Sequence, residues 1–208
     1  MKLHTPLSLL LTFLIIDIAT AQTHKSIHQE QHEYYRDLFP DFQPEPYGNS
    51  IPLQTRRTAP SREVFGYHPY WMETAWQSYN FNLISTIAYF GLESNGSGNI
   101  VNHHFWPVTS LINEAHSYGT KVSLVVILFN SDNIAQLLSS ASNQQTLINN
   151  LLAEVNDAGA DGVNIDFEGV PSSQRDNLTT FMTDLTAAFH EANPASQVTM
   201  ATPAVDWS

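Results

Sequence analysis

Between Gly159 and Gly169 the chain sets Asn164, Asp166 and Glu168 in alternation with Val163, Ile165 and Phe167. A period of two is that of a β-strand with opposite faces. Residues two apart on a strand lie roughly 6.5–7 Å from each other. The three polar side chains therefore form one row. Two carboxyls in such a row cannot both ionise freely, and one is pushed toward a raised pKa. A carboxylic acid that stays protonated near neutrality is what breaking a glycosidic bond requires, because the leaving oxygen must be protonated. Glu168, last in the row, is the better-placed donor. The row has two other readings, an edge strand with one face in water and a hard-cation site. Amphipathic helices on both sides of the strand argue against the first, since they give the βαβ pattern of a sheet covered on both faces. A polar row is costly to bury there unless it is partnered or lines a cavity. No further acidic cluster stands out for the second, and no metal ligand is assigned.

The string from Asp161 to Glu168 resembles the DxxDxDxE signature of family 18 glycoside hydrolases, the chitinases and related endo-β-N-acetylglucosaminidases. The resemblance implies that Glu168 is the acid. It implies that Asp166 orients the substrate's acetamido group, whose carbonyl oxygen attacks the anomeric carbon in a retaining, substrate-assisted reaction. Asn164 stands where the family usually has Asp; its amide can hydrogen-bond Asp166 but cannot shuttle a proton. No cofactor is implied.

The elements that must position this row follow from periodicity. Val64–Trp71 reads as a first strand, and the resemblance makes its aromatics, Tyr67 and Trp71, the floor of a substrate groove. Residues 82–92 form a second strand, with Tyr89 assigned to substrate binding, and the turn at Asn95-Gly96 suggests a small hairpin. Tyr70 and Trp106 also fall near strand ends, with core packing as the competing role. Leu111, Ile112, Ala115 and Tyr118 trace a helix stopped by Gly119. Lys121–Phe129 is nearly continuously apolar, as in a strand buried on both faces. It keeps Ser123 of the family's SxGG motif without the glycines. Leu147, Ile148, Leu151, Leu152, Val155 and Ala158 form a helical stripe, and Leu178, Phe181, Met182, Leu185 and Phe189 another. Gln197–Pro203 is a fifth strand. The expected fold is α/β, of (β/α)8 TIM-barrel type, with about the first five β/α units in this chain, since a closed barrel needs eight strands and typically about 250 residues. The family's sixth-strand Tyr and eighth-strand Trp cannot be assigned, and the 208-residue chain alone is not expected to be active.

Residues 1–21 read as an export signal: Lys2, an apolar stretch from Leu7 to Ile18, then Ala19-Thr-Ala21. A membrane anchor is the rival reading, but the stretch is too short to span comfortably. Residues 22–61 read as a polar, Pro-containing leader. His24, His28 and His32 fall four apart in it, as helix-borne metal ligands would, yet the composition favours a solvated linker. Residues 62–208 are the catalytic part. The net charge of −12 argues against a nucleic-acid partner. Without cysteine, thiol catalysis and disulfides are excluded. The expectation is a secreted hydrolase of β-1,4-linked N-acetylglucosamine polymers, with no membrane insertion after signal cleavage. Its rivals are a peptidoglycan-directed N-acetylglucosaminidase and a sugar-binding lectin on the same fold.

Overall fold

The computed structural model describes residues 25–39, 48–56 and 60–202. The expected export signal and His24 lie outside them. Helix α1 (Ile27–Arg36) comes first. The strands are β1 (Phe65–Pro69), β2 (Thr86–Ser94), β3 (Ile100–Asn102), β4 (Lys121–Leu128), β5 (Gly162–Phe167) and β6 (Gln197–Met200). Helices α2 (Thr109–Ser117), α3 (Ser131–Leu138), α4 (Ala141–Ala158) and α5 (Arg175–Ala192) lie between them. Five strands are parallel in the order β1-β2-β4-β5-β6, and β3 returns antiparallel along β2 as the expected hairpin. This is the α/β, TIM-barrel type of fold.

The sheet curls. Thr86 Oγ1 donates to Gln197 Oε1 at 3.0 Å, and Tyr67 Oη donates to Asn164 Oδ1 at 3.2 Å. Each bond joins strands that are not neighbours, so the inner face is concave enough for its side chains to meet. The outer face is apolar: Leu124, Val126, Val163 and Ile165 are fully buried beneath the helices. From α4, Leu147 and Leu151 pack against them, and from α5 Phe181, Leu185 and Phe189. Ser140 caps α4, accepting from the Asn143 amide at 3.3 Å, and Gly159 ends it at φ +66°, a left-handed conformation that favours glycine.

The expected second strand, 82–92, begins only at Thr86, after a 3-10 turn at Phe81–Leu83, and sequence and structure differ at three further places. Helix α3 carries no expectation from the sequence, being short. The first strand ends at Pro69, and Tyr70–Met72 turns as a single 3-10 turn. The third is the leader: its segment Ile27–Arg36 is a docked helix with His32 buried, not a solvated linker. Ser26 caps that helix by accepting from the Gln29 amide at 3.1 Å. Glu30 in its first turn and Arg36 in its last suit the helix dipole.

The Phe181 ring stacks on Phe167, centroids 5.8 Å apart, and so holds α5 against the strand that carries the polar row. In the complete protein Phe181→Ala is expected to cost about 3–5 kcal/mol of stability. Denaturant unfolding measures it; a loss below about 1 kcal/mol would show that this ring does not anchor β5.

Candidate active site

Register decides which side chains meet. Tyr67, Ala88, Ser123 and Gly162 align in one row on the inner face, and Phe90, Val125, Asn164 and Thr199 in the next. Above them, Glu93, Ile127 and Asp166 align at the carboxyl ends of the strands. A register shift between Phe90 and Leu92 leaves Gly91 as the extra residue and keeps Glu93 on the inner face. Glu168 lies just past β5, its amide donating to the Leu128 carbonyl at 3.2 Å.

Asp166 is fully buried. His28 of α1 reaches it, with Nδ1 2.8 Å from Oδ2, while Oδ1 has no hydrogen-bond partner among the described residues. The bond to Asp166 raises the His28 pKa; burial opposes it, and the charges of Asp166 and Glu168 add to it. Ser26 Oγ donates to Glu168 Oε1 at 2.5 Å, and Glu168 Oε2 is buried without a partner among those residues. Burial pushes the Glu168 pKa up; the Ser26 bond pulls it down, and the charge of Asp166 beside it raises it again, to a net value above the ordinary one. The arrangement thus holds one carboxyl with a raised proton affinity beside a fully buried second one.

Asn164 bridges the floor. It accepts from Tyr67 Oη and donates through Nδ2 to Thr199 Oγ1 at 2.8 Å. Its amide is committed to these two bonds. Burial and the charge of Asp166 push the Tyr67 hydroxyl up to about 12, so it stays a donor. Asp161, first in the motif, is structural: its Oδ2 accepts from the Val122 amide at 2.7 Å and from His116 Nε2 at 2.8 Å.

Tyr67 bonds Asn164 of the row and Trp71 lies against Phe90 of the inner face, and α1 covers both. The His28 ring meets Tyr67 edge-on at 4.7 Å, and Tyr35 stacks on Trp71 at 4.9 Å with planes 10° apart. Tyr89 does not join. It aligns with His68, Leu124 and Val163 on the opposite face, is buried beside Trp106, and its hydroxyl donates to the His104 carbonyl at 2.5 Å. Strand alternation is the reason, since Tyr67 and Tyr89 have opposite parity in the paired register. Tyr70 and Trp106 are core residues, both fully buried. A cavity of roughly 290 Å³ at the opposite, amino-terminal end of the strands is lined by Arg56, Arg62, Glu63, Thr86 and Gln197, and none of the row reaches it.

Ser26, His28, His32, Glu93 and His104 are site residues that the sequence reading did not assign. Only the four-residue His spacing signalled any of them. Two trios, His28 with Asp166 and Glu168, and His32 with Glu93 and His104, bring metal-ligating atoms within 4.8 Å of one another. Burial lowers the His32 pKa to about 4, so that ring is neutral near neutrality. Burial pushes Glu93 up, but the bond from His104 and the nearby cationic groups hold it below the usual glutamate value.

The family model described as glycosyl hydrolases family 18 matches residues 63–208. Among curated proteins none matches the chain. Similar solved structures include a chitinase from Bacteroides thetaiotaomicron, 17% identical with a TM-score of 0.57, the match covering 67% of this chain and 46% of that one. A chitinase from Cycas revoluta in complex with (GlcNAc)4 is 19% identical with a TM-score of 0.57, over 68% of this chain and 46% of that one. The Bacillus cereus spore cortex-lytic enzyme SleL is 19% identical with a TM-score of 0.58, over 72% of this chain and 36% of that one. The chain thus spans less than half the length of these structures.

The Glu168 carboxyl is expected to titrate above the ordinary glutamate value, because burial and Asp166 disfavour its anion. Asp166→Asn removes the neighbouring charge and should lower that pKa. Carbon-detected NMR of labelled glutamate side chains reads both; a Glu168 titrating at or below the ordinary value would remove the raised-acid reading.

Proposed function

The chain belongs to glycosyl hydrolases family 18, and from that premise we propose that the complete protein is a secreted glycosidase of β-1,4-linked N-acetylglucosamine polymers. The observation that supports this best is the pairing of fully buried Asp166 with Glu168, whose pKa is raised. Glu168 protonates the leaving oxygen. Asp166 holds the substrate's acetamido N–H, so that the carbonyl oxygen attacks the anomeric carbon as the protonated leaving group departs; water, giving its proton to Glu168, then enters from the face the leaving group vacated and configuration is retained. Asn164, tied to Tyr67 and Thr199, fixes the floor beneath Asp166 without relaying a proton. Trp71 offers a flat face to a sugar ring. Residues 1–21 direct export. Among the described residues, no helix is long and apolar enough to cross a membrane.

A peptidoglycan-directed N-acetylglucosaminidase uses the same groups and is the second reading; one of the similar structures is a spore cortex-lytic enzyme. A lectin is a weaker reading, since it would have no use for a carboxyl of raised proton affinity. Helix α1 bears on all three. With Ser26 on Glu168, His28 on Asp166 and Tyr35 on Trp71, a sugar chain reaches these groups only when α1 moves aside.

In the complete protein Glu168→Gln should lower turnover of chitin oligomers by about 10²–10⁴-fold while leaving sugar binding in place. Wild-type turnover by that variant would take the acid role from Glu168. Inactivity of the wild type on chitin but not on peptidoglycan would move the substrate to the second reading. A triple change of Ser26, His28 and Tyr35 to Ala should lower KM, because the substrate no longer competes with the helix. An unchanged KM would mean that α1 does not stand in the substrate's way.

A further inference from the structure

Three side chains from separate segments converge beside the carboxylate pair without taking part in its chemistry. His32 comes from α1, Glu93 from the end of β2 and His104 from the loop after β3. His104 Nε2 lies 2.6 Å from Glu93 Oε1, and His32 Nε2 lies 3.3 Å from the same oxygen. Both imidazoles are buried, and the Glu93 carboxyl is 23% exposed.

We propose that His32, Glu93 and His104 form a binding site for a divalent metal of the zinc class, which cross-links helix α1 to the sheet. The donor set is two imidazole nitrogens and one carboxylate oxygen, a combination zinc takes readily and magnesium or calcium does not. Around a tetrahedral zinc, ligand atoms at ordinary bond lengths stand roughly 3.3–3.5 Å apart. The His32–Glu93 pair already has that separation. The His104–Glu93 pair needs to open by about 1 Å or less, a small side-chain adjustment.

The rings are held for it. The His104 ring stacks on Tyr70 with centroids 3.9 Å apart and planes 9° apart. Its backbone is tied at both ends: the amide donates to Asn102 Oδ1 at 3.0 Å, and the carbonyl accepts from Tyr89. His32 directs Nε2 at Glu93 while Nδ1 lies 3.5 Å from the Tyr70 hydroxyl. An outer partner on the second nitrogen is what orients a ligating histidine. The alternative is a proton-only network, with both rings donating to Glu93. It needs no ion, and it is what the test must separate.

The inference rests on the docking of α1 and not on the glycosidase reading, so metal binding is the readout. The complete mature protein, freed of metal by chelation, is titrated with zinc chloride by calorimetry. One zinc per chain is expected. His32→Gln, which alters only the helix, and Glu93→Gln, which keeps the side chain's shape, should each weaken binding at least about tenfold. Glu168→Gln, which removes a carboxylate from the neighbouring trio and keeps an acceptor for Ser26, should leave zinc binding unchanged. Zinc should also slow amide hydrogen exchange across residues 27–36 in the wild type and not in Glu93→Gln. Absence of stoichiometric binding would overturn the proposal in favour of the proton network. Binding equal in wild type and both variants would overturn it as well, and loss on Glu168→Gln would move the metal to the trio of His28, Asp166 and Glu168.

Discussion

The structure depends on a carboxyl pair placed where water is largely excluded. Asp166 is fully buried on a parallel strand covered on both faces, and Glu168 follows it at the strand's end. An unpaired buried charge costs several kcal/mol after relaxation, so each oxygen needs a partner or a proton. Two oxygens, Asp166 Oδ2 and Glu168 Oε1, are met by His28 and Ser26. The other two, Asp166 Oδ1 and Glu168 Oε2, have no partner among the described residues. A proton on Glu168, whose anion is disfavoured by burial and by the neighbouring Asp166, relieves part of this cost. The raised pKa of Glu168 is therefore a direct consequence of how β5 is buried.

Burial of β5 is in turn set by its outer face. Val163 and Ile165 are fully buried between the sheet and the helices, and a one-residue slip would put Asn164 and Asp166 there instead. Apolar alternation thus fixes the register, and register aims the carboxyls. The same constraint acts across the sheet, where Glu93, Ile127 and Asp166 share one level. It also sends Tyr89 outward although it lies only one residue from Phe90 on the inner face.

Much of this was legible in the chain. The alternation from Val163 to Glu168 is strict, and the stripes of α4 and α5 are long, so both periods stand clear of chance. The position of Tyr67 and Trp71 near the row was legible because they lie on the first strand and its exit. Tyr89 was misassigned because parity cannot be read within a strand whose start is uncertain by three or four residues. Helix α1 was read as a linker for a different reason. A docking face is usually recognised by apolar residues, and that of α1 is His28, His32 and Tyr35. Such a face is favourable only against carboxylates and aromatics that come from much further along the chain. Glu93 and His104 were missed likewise, since nothing local marks a residue whose partners lie on another element.

The chemistry of that face has a further consequence. A ten-residue helix is marginal in water by itself, so α1 owes its order to the groups it touches. Those contacts are of the kinds a sugar chain would make: a hydroxyl on Glu168, an N–H on Asp166 and a flat face on Trp71. A buried carboxyl pair that favours a sugar's donors will favour similar donors from its own chain, and in the absence of substrate the local segment has the advantage of high effective concentration. The polar character of α1 that hides it in the sequence is thus the property that fits it to this site. Its displacement would then exchange one set of matched donors for another and leave no carboxylate oxygen newly stranded. The net cost of opening is the difference between two similar sets of contacts, offset in part by the entropy that the helix regains on release.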